Sequence, residues 1–344
     1  MTHDVVLDSA DVVRAARRRP ARRYCLVVCG LVVAVVGAFL ARTLLGDYTI
    51  TIPDAIRIIG GEQIPGATFI LMESKLPRAV LGTFVGFAFG VGGAIFQATL
   101  RNPLASPDII GVSYGASAAG VFGILVLDTQ GAELSVIAVA GALLVAGLIR
   151  LIGGSARGMR LVVMGIAIAA ALQSTIQYLF TRADIYDAQA ALRWLTGSLN
   201  EADWPTIRIL ALTLVVLLVL TALLAGSLRS TELGPDTAAG LGIPERHTDL
   251  LMAVGALLVA VAVAAAGPIA FVAFLSGPIA RALNAGRTTL LAAGLVGSVI
   301  VLVADHLGAY LIEDVNFPVG VVTGAFGAPI LLWLLATLSS ARRT

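Results

Sequence analysis

The chain has 344 residues, of which 58% are hydrophobic and only 13% are charged, with a mean hydropathy of +0.95. A soluble domain carries about 25% charged residues, so this composition excludes a soluble globular protein and, equally, a disordered one. The net charge of +2 is too small to indicate a nucleic-acid partner. The two cysteines, Cys25 and Cys29, exclude a disulfide scaffold. Within an apolar run they are expected to be buried thiols, with a metal or redox pair as the alternative.

Motifs of soluble enzymes are absent from the sequence. The only lysine is Lys75, and no glycine-rich loop precedes it. A phosphate-binding loop needs a lysine to reach the β and γ phosphates, so ATP and Mg²⁺ must be bound by a partner ATPase if ATP drives this protein. No H-E-x-x-H, G-x-S-x-G or C-x-x-C occurs, and the three histidines are scattered: His3, His247 and His306. The chain is therefore predicted to be neither an enzyme nor a metal or cofactor binder.

In chain order, a polar N-terminal segment precedes ten apolar stretches that are long enough to cross a bilayer. The basic segment covers residues 1–23, and the predicted spans are 24–45, 79–100, 111–127, 134–152, 161–180, 205–228, 250–266, 267–283, 288–306 and 318–338. Gly267-Pro268 separates two spans with almost no loop, so that turn is expected in or near the membrane. The expected organisation is one transmembrane domain over 24–338, with a short tail over 339–344.

The basic residues orient these spans. With both termini in the cytoplasm, 16 of the 23 basic residues fall on the cytoplasmic side and 7 on the outer side, as the positive-inside rule requires. Adding or removing one span would reverse the sides of all later loops and spoil this asymmetry. The sequence therefore predicts an all-α polytopic membrane protein with ten transmembrane helices and both termini cytoplasmic.

Few features inside the spans depart from plain hydrophobicity. Gly82, Gly86 and Gly90 share one face of the second span, which predicts tight helix packing, with a sliding helix as the alternative. Asp305 and His306 come nearest to the midplane, and a structural interfacial role for Asp305 is favoured over a proton relay. The scarcity of midplane carboxylates argues against an ion-coupled secondary transporter.

Three segments are too polar, or too rich in proline and glycine, for contact with lipid: residues 97–116, 231–244 and 317–329. Pro103 and Pro107 break the first, and irregular backbone at membrane depth suits a gate or pathway. The second begins with Glu232 and Asp236 and ends with Gly242, which predicts a short capped helix on the cytoplasmic face, with a plain connecting turn as the alternative. The third places proline and glycine at the entry of the last span.

At these residues the sequence closely resembles the FecCD family of ABC importer permeases, which take up iron-siderophores, haem and vitamin B12. The resemblance covers nearly the whole chain after about residue 30, and its motifs are K-L-P-R at 75–78, R-N-P-L-A at 101–105, W-L-T-G-S-L at 194–199, G-P-I-A-F-V at 267–272 and P-V-G-V-V-T at 318–323. It implies a type II ABC importer fold in the bacterial inner membrane. It also implies a second permease, identical or different, two cytoplasmic ATPase subunits and a periplasmic or lipid-anchored solute-binding protein.

The resemblance also implies roles for single residues. Lys75 and Arg78 would receive acidic side chains of the binding protein, with a role as anchors at the membrane interface as the alternative. Pro77 is expected to hold Lys75 and Leu76 out of a helix so that both cations are presented at the outer surface. A further basic docking position of the vitamin B12 importer is Ala309 here. The coupling residues would be Gly234, Asp236, Ala238 and Gly242, in a helix where Pro235 and Ala239 replace polar residues of relatives. The gate and pathway residues would be Asn102, Pro103, Leu104, Pro318 and Gly320.

The predicted function is therefore that of a permease subunit moving an iron-siderophore inward, energised by a separate ATPase. A path lined by small and apolar residues suits a bulky chelate that must not stick. Vitamin B12 or haem is the alternative substrate within the family, and the missing basic residue at Ala309 favours the siderophore. Ion-coupled secondary transport is the alternative from a different class.

Overall fold

The computed structural model describes residues 9–108, 111–153, 159–231, 234–242, 244–312 and 315–341. In these residues the regular structure is helical, apart from one isolated antiparallel bridge between Ile312 and Val315. The helices are α1 (Ser9–Leu44), α2 (Ile52–Ile59), α3 (Ala67–Phe69), α4 (Leu76–Thr99), α5 (Val112–Leu127), α6 (Gly131–Gly153), α7 (Met159–Phe180), α8 (Ile185–Leu195), α9 (Trp204–Thr231), α10 (Pro235–Gly240), α11 (Glu245–Ala266), α12 (Val272–Leu283), α13 (Leu290–Tyr310) and α14 (Val319–Ala341).

Seven helical segments of the described chain are long and apolar enough to cross a membrane: Pro20–Leu44, Ala67–Thr99, Gly131–Ile152, Val163–Phe180, Trp204–Leu228, Arg246–Ala266 and Leu290–Tyr310. Three shorter apolar helices, Val112–Leu127, Val272–Leu283 and Val319–Leu332, fall where the sequence predicts the remaining spans. The all-helical membrane architecture is confirmed. The count of ten crossings and the cytoplasmic location of both termini stay predictions.

Two boundaries differ from the sequence-based prediction at the N-terminal ends of spans. Helix α1 begins at Ser9, so most of the basic segment 1–23 is helical, while residues 1–8 lie outside the described part. The second span begins at Ala67 and reaches α4 through a π-helical turn, Ile70–Lys75. At the other end of the chain, residues 342–344 of the predicted tail also lie outside the described part.

Pro77 does not hold its neighbours out of a helix, so that expectation is wrong. Lys75 (φ −75°, ψ −46°) and Leu76 (φ −68°, ψ −48°) are both helical. The π turn carries its hydrogen bonds five residues back, and proline has no N–H to donate to the carbonyl five residues earlier, that of Met72. This carbonyl instead accepts the indole N–H of Trp204 at 3.0 Å. The wide turn and this outside donor let the helix run through Pro77.

Helix α4 is the centre of the bundle, and α1 lies on its edge. In the most apolar window of each span, 78% of the residues are buried for Ala67–Thr99 and 6% for Pro20–Leu44. Tight packing at Gly86 and Gly90 is confirmed, since a methyl group there would lie 2.4 Å from the Gly297 carbonyl oxygen and 2.2 Å from that of Ala293. The peripheral position of α1 leaves Cys25 and Cys29 exposed, so the expectation of buried thiols is wrong.

Candidate functional site

An ion cluster of Arg42, Arg78 and Asp305 joins α1, α4 and α13. Arg42 Nε donates to the Asp305 carboxylate at 2.5 Å and Arg78 Nε donates at 2.9 Å, while Arg78 Nη2 lies 2.8 Å from Asp305 Oδ1. Asp305 is completely buried, and both guanidinium groups are nearly so. The Tyr310 ring centroid lies 5.8 Å from the Arg42 guanidinium carbon and adds a cation–π contact. Asp305 is thus a buried counter-ion shared by two helices, and its place relative to the membrane interface stays a prediction.

Lys75 and Arg78, the predicted docking residues, are not presented at the surface. Lys75 is 5% exposed and Arg78 8%. Lys75 Nζ donates to the carbonyl oxygens of Leu45 (2.7 Å) and Tyr48 (2.6 Å), just beyond the end of α1. With the helix continuing through Pro77, the side chains of both cations point into the protein. Their docking role stays a prediction, and Ala309, the missing third docking position, is half-buried one turn after Asp305.

Replacing Lys75 with methionine is expected to loosen the connection between α1 and α2. The substitution keeps the apolar stem and removes the donor that holds two backbone carbonyls, each hydrogen bond to a charged group contributing about 1.5–3 kcal/mol. Limited proteolysis in detergent should cut the segment 45–51 faster than in the wild type. The matched control is Arg57→Met, whose side chain is 62% exposed. Equal cleavage rates for both variants would contradict a structural role for Lys75.

Three of the motif segments meet at a glycine junction formed by Gly197, Gly267 and Gly320. A methyl group on Gly197 would lie 2.4 Å from the Pro268 carbonyl oxygen, one on Gly267 2.3 Å from that of Trp194, and one on Gly320 1.9 Å from that of Thr196. The Gly320 N–H donates to the Gly197 carbonyl at 3.1 Å, and the Ser198 N–H donates to that of Ala266 at 2.8 Å. Gly197 and Gly267 have φ of +68° and +71°, which glycine adopts without strain. The junction therefore demands glycine for both space and conformation.

The junction lies at the same end of the bundle as the ion cluster. A methyl group on Gly82, in the first third of α4, would lie 2.9 Å from Leu199 Cδ1, two residues after Gly197. The half-buried Pro318 precedes Gly320, and the neighbouring Phe317 N–H donates to the Gly308 carbonyl at 2.8 Å. We refer to this side as the Asp305 end. The pathway residues Pro318 and Gly320 are thus near Asp305 and not near Asn102.

The other predicted gate residues follow the opposite end of α4, in the loop 100–108. Asn102, Pro103 and Leu104 are half-buried there, and the Asn102 side-chain oxygen accepts the Leu104 N–H at 2.9 Å. This turn replaces helical hydrogen bonds that the prolines cannot make. Further on, burial raises the pKa of the Asp108 carboxyl, and a hydrogen bond from Ser113 partly offsets the effect. The structure therefore separates the predicted gate set into two groups at opposite ends of α4.

Helix α10 lies beside this loop. We call this end of the bundle, which also carries Arg23, the Arg23 end. Arg23 donates to the Leu283 carbonyl, at the end of α12, at 3.1 and 3.0 Å. Gly234 (φ +109°) precedes α10, and its methyl position would be 3.2 Å from Arg101 Nη1. Ala238 is buried, whereas Gly242 (φ +78°) is exposed. The short helix predicted here is confirmed; Glu232 and the side chain of Asp236 lie outside the described residues.

Gln97 ties α4 to α12 at the Arg23 end. Its Nε2 donates to the Phe274 carbonyl at 2.9 Å, and its Oε1 accepts Arg281 Nη2 at 3.2 Å. The side chain is 1% exposed, so both hydrogen bonds are made away from water, where an unpaired amide would be costly. A methyl group on Gly277 would lie 2.0 Å from Gln97 Oε1. Glycine at position 277 therefore makes room for the Gln97 side chain.

Sequence reasoning missed Arg42 as part of the ion cluster, and it included Gln97 and Arg101 only as members of the candidate gate segment 97–116, without the contacts they make. A signal existed for Arg42, because it lies in the last turn of an apolar helix and a charge in such a helix calls for a partner, which Asp305 supplies. Gln97 and Arg101 lie in the segment 97–116 that the sequence marks as a candidate gate, but nothing in the sequence marks their partners. Their importance arises from contacts with residues far along the chain.

Residues 29–337 match the FecCD transport family over about nine-tenths of the chain. The chain belongs to this family. It is 33% identical over 320 residues to the ferric enterobactin transport system permease protein FepG of Escherichia coli, covering 91% of this chain and 96% of that protein. It is 34% identical to the Fe(3+)-citrate import system permease protein YfmE of Bacillus subtilis, covering 89% and 93%.

A solved structure shares the fold of this FecCD-family chain. It is a metal-chelate type ABC transporter in an inward-facing conformation, with a TM-score of 0.79 at 22% identity, covering 91% of this chain and all of that one. Family membership and the apolar helices identify the chain as a multi-pass membrane permease of the ABC importer type, not an enzyme.

Proposed function

We propose that this FecCD-family chain is the permease subunit through which an ABC importer moves a ferric chelate of the siderophore type across the bacterial inner membrane. The observation that carries the proposal is the similarity, over about nine-tenths of both chains, to permeases named for ferric enterobactin and Fe(3+)-citrate. A second permease, separate ATPase subunits that bind ATP and Mg²⁺, and a solute-binding protein complete the transporter.

The proposed topology has ten membrane crossings, with the Arg23 end in the cytoplasm and the Asp305 end outside. The excess of arginine on the predicted cytoplasmic side supports it. The position of α10 supports it too, because a helix that docks on a cytoplasmic ATPase must lie at the end that carries the basic N-terminal segment. The three shorter apolar helices each follow irregular backbone, which is tolerated in a membrane protein where other helices or a watery path surround it.

Coupling would proceed from α10 to the loop 100–108 through Gly234, whose methyl position lies 3.2 Å from Arg101 Nη1. A movement of α10 imposed by an ATPase would press on Arg101, whose backbone is in the strained left-handed region (φ +50°). Arg101 directly precedes Asn102, Pro103 and Leu104, the residues proposed as the inner gate. The glycine junction at the opposite end would serve as the rigid outer frame of the path.

Replacing Gly234 with alanine is expected to uncouple the ATPase from transport. Alanine at φ +109° and ψ 156°, a region populated essentially by glycine, costs about 1–3 kcal/mol, and its methyl group would push on the Arg101 guanidinium 3.2 Å away. Co-purification of the ATPase subunits and ATP-driven uptake should both fall several-fold. The matched control is Gly240→Ala at the end of α10, where no atom lies within 4 Å of the new methyl group. A normally coupled Gly234→Ala transporter would remove this contact from the proposed route.

Uptake in cells tests the substrate class. Cells that lack this chain should no longer accumulate radioactive iron from one of the ferric chelates compared below. A plasmid that carries the gene for this chain should restore the uptake. Ferric citrate, a ferric catecholate, a ferric hydroxamate, haem and labelled vitamin B12 are compared in parallel. Restoration of vitamin B12 or haem uptake alone would overturn the siderophore assignment. Uptake abolished by an ionophore but insensitive to ATP depletion would indicate ion-coupled transport instead.

A further inference from the structure

Helix α2 carries an apolar face that is only half covered by the protein. Ala55 and Ile58 are buried and share a cluster with Ile50, Ala67 and Leu71. Next to them on the helix, Ile52, Ile56 and Ile59 are 62%, 66% and 65% exposed. Their spacing of four and three residues places them in one stripe, and Asp54 and Arg57 lie on the opposite, polar face. We call these three isoleucines the α2 stripe.

The position of α2 relative to α1 puts the stripe at the level of a membrane boundary. The apolar part of α1, Pro20–Leu44, has 25 residues and is about 37 Å long, against a hydrocarbon core of about 30 Å. Its last residue, Leu44, packs against the cluster beneath α2. Lys75 fixes the short connection between the two helices through the carbonyls of Leu45 and Tyr48. Helix α2 is thus held where α1 leaves the hydrocarbon.

The chemistry of the surroundings favours lipid as the occupant of the stripe. None of its three side chains is polar, and the charged Arg57 is on the other side, paired at 3.9 Å with Glu62. Two exposed aromatic residues lie nearby in the chain, Tyr48 at 45% and Phe69 at 70%. Tyrosine settles at the headgroup level of membranes, and phenylalanine is typical of the apolar face of segments that lie in the interface. The exposed apolar surface of α1 leads directly to α2.

From this arrangement we infer that α2 lies in the plane of the membrane interface, with Ile52, Ile56 and Ile59 inserted among the lipid acyl chains. Amphipathic helices of this kind bury their apolar face about 5–10 Å below the headgroup boundary. The inserted stripe anchors the connection between the first two spans and fixes the depth of the Lys75 segment relative to the bilayer. The inference requires membrane insertion of the chain but not its proposed substrate.

Depth measurements with spin labels test the inference on the full-length permease in lipid nanodiscs. In a Cys25→Ser, Cys29→Ser background, a single cysteine is introduced at Ile56 and, separately, at Ile59. The matched control is Arg57→Cys, one residue away on the polar face, and Val33→Cys on the exposed side of α1 is the deep reference. The ratio of collisions with oxygen to collisions with a water-soluble nickel chelate should be several-fold higher at Ile56 and Ile59 than at Arg57.

Two results would overturn the inference. Nickel-chelate collisions at Ile56 and Ile59 as frequent as at Arg57 would place the stripe in water. Labels shielded from both reagents, either in the permease alone or after addition of its purified solute-binding protein, would show that protein covers the stripe. Neither readout needs ATP or transport, so failure here is distinguishable from failure of the proposed function. Both labelled positions are exposed, which keeps the variants foldable.

Discussion

Replacing Asp305 with asparagine is expected to destabilise the permease by about 3–5 kcal/mol, because it leaves two buried guanidinium groups without a counter-charge. Arg42 and Arg78 are 3% and 8% exposed and share this one carboxylate. Helix α1 has little other burial, so its attachment to α4 and α13 depends strongly on this contact. The midpoint of unfolding during titration of dodecyl sulfate into detergent-solubilised protein measures the effect.

Asp249→Asn is the matched control for this prediction. Asp249 accepts Arg150 Nη2 at 2.7 Å, but both side chains are substantially exposed, 39% and 54%. An exposed pair of this kind contributes about 0–1 kcal/mol, so Asp249→Asn should unfold close to the wild type. If the two asparagine variants had the same midpoint, the ion cluster would not hold the three helices together.

Replacing Gly320 with alanine is expected to open the glycine junction and abolish most transport. The new methyl group would lie 1.9 Å from the Thr196 carbonyl oxygen, a backbone atom that cannot move without shifting the whole 194–199 turn. Overpacking of this kind costs about 1–3 kcal/mol, and the displacement would also break the hydrogen bond from Gly320 to Gly197. ATP-driven uptake by the reconstituted transporter and the thermal midpoint of unfolding are the measurements.

Gly324→Ala provides the comparison within the same helix. Gly324 lies one turn after Gly320 in α14, and no atom is within 4 Å of its methyl position. Alanine should be tolerated there, because it favours a helix by up to about 1 kcal/mol over glycine. Wild-type uptake by both variants would show that the junction is not needed for transport.

Hydropathy and charge predicted the helical membrane architecture and the approximate place of each apolar helix, because lipid exposure requires long uninterrupted apolar segments. They did not predict the start of the second span. A proline normally interrupts a helix, whereas here a π turn and the Trp204 indole let the helix pass Pro77. Such an outcome depends on a donor 127 positions later in the chain, which local rules do not contain.

Some features of the candidate sites could be predicted from the sequence, and others could not. The short helix after Gly234 and the close packing at Gly86 and Gly90 follow from local composition, and both are present. The burial of Lys75 and Arg78 was not predictable, since a cation near the end of a span is equally consistent with an exposed anchor. Only the fold shows that Asp305 and two carbonyls after α1 receive these charges.

The most direct test of the central claim is transport by the purified complex in proteoliposomes. The chain is expressed with its partner permease and ATPase subunits, reconstituted, and supplied with the solute-binding protein loaded with the ferric chelate that cells take up. The account predicts accumulation of labelled iron in the lumen on the side opposite the binding protein, only with hydrolysable ATP and Mg²⁺, and its loss in Gly320→Ala but not in Gly324→Ala. Accumulation without ATP, or ATP hydrolysis with no movement of any ferric chelate, would contradict it.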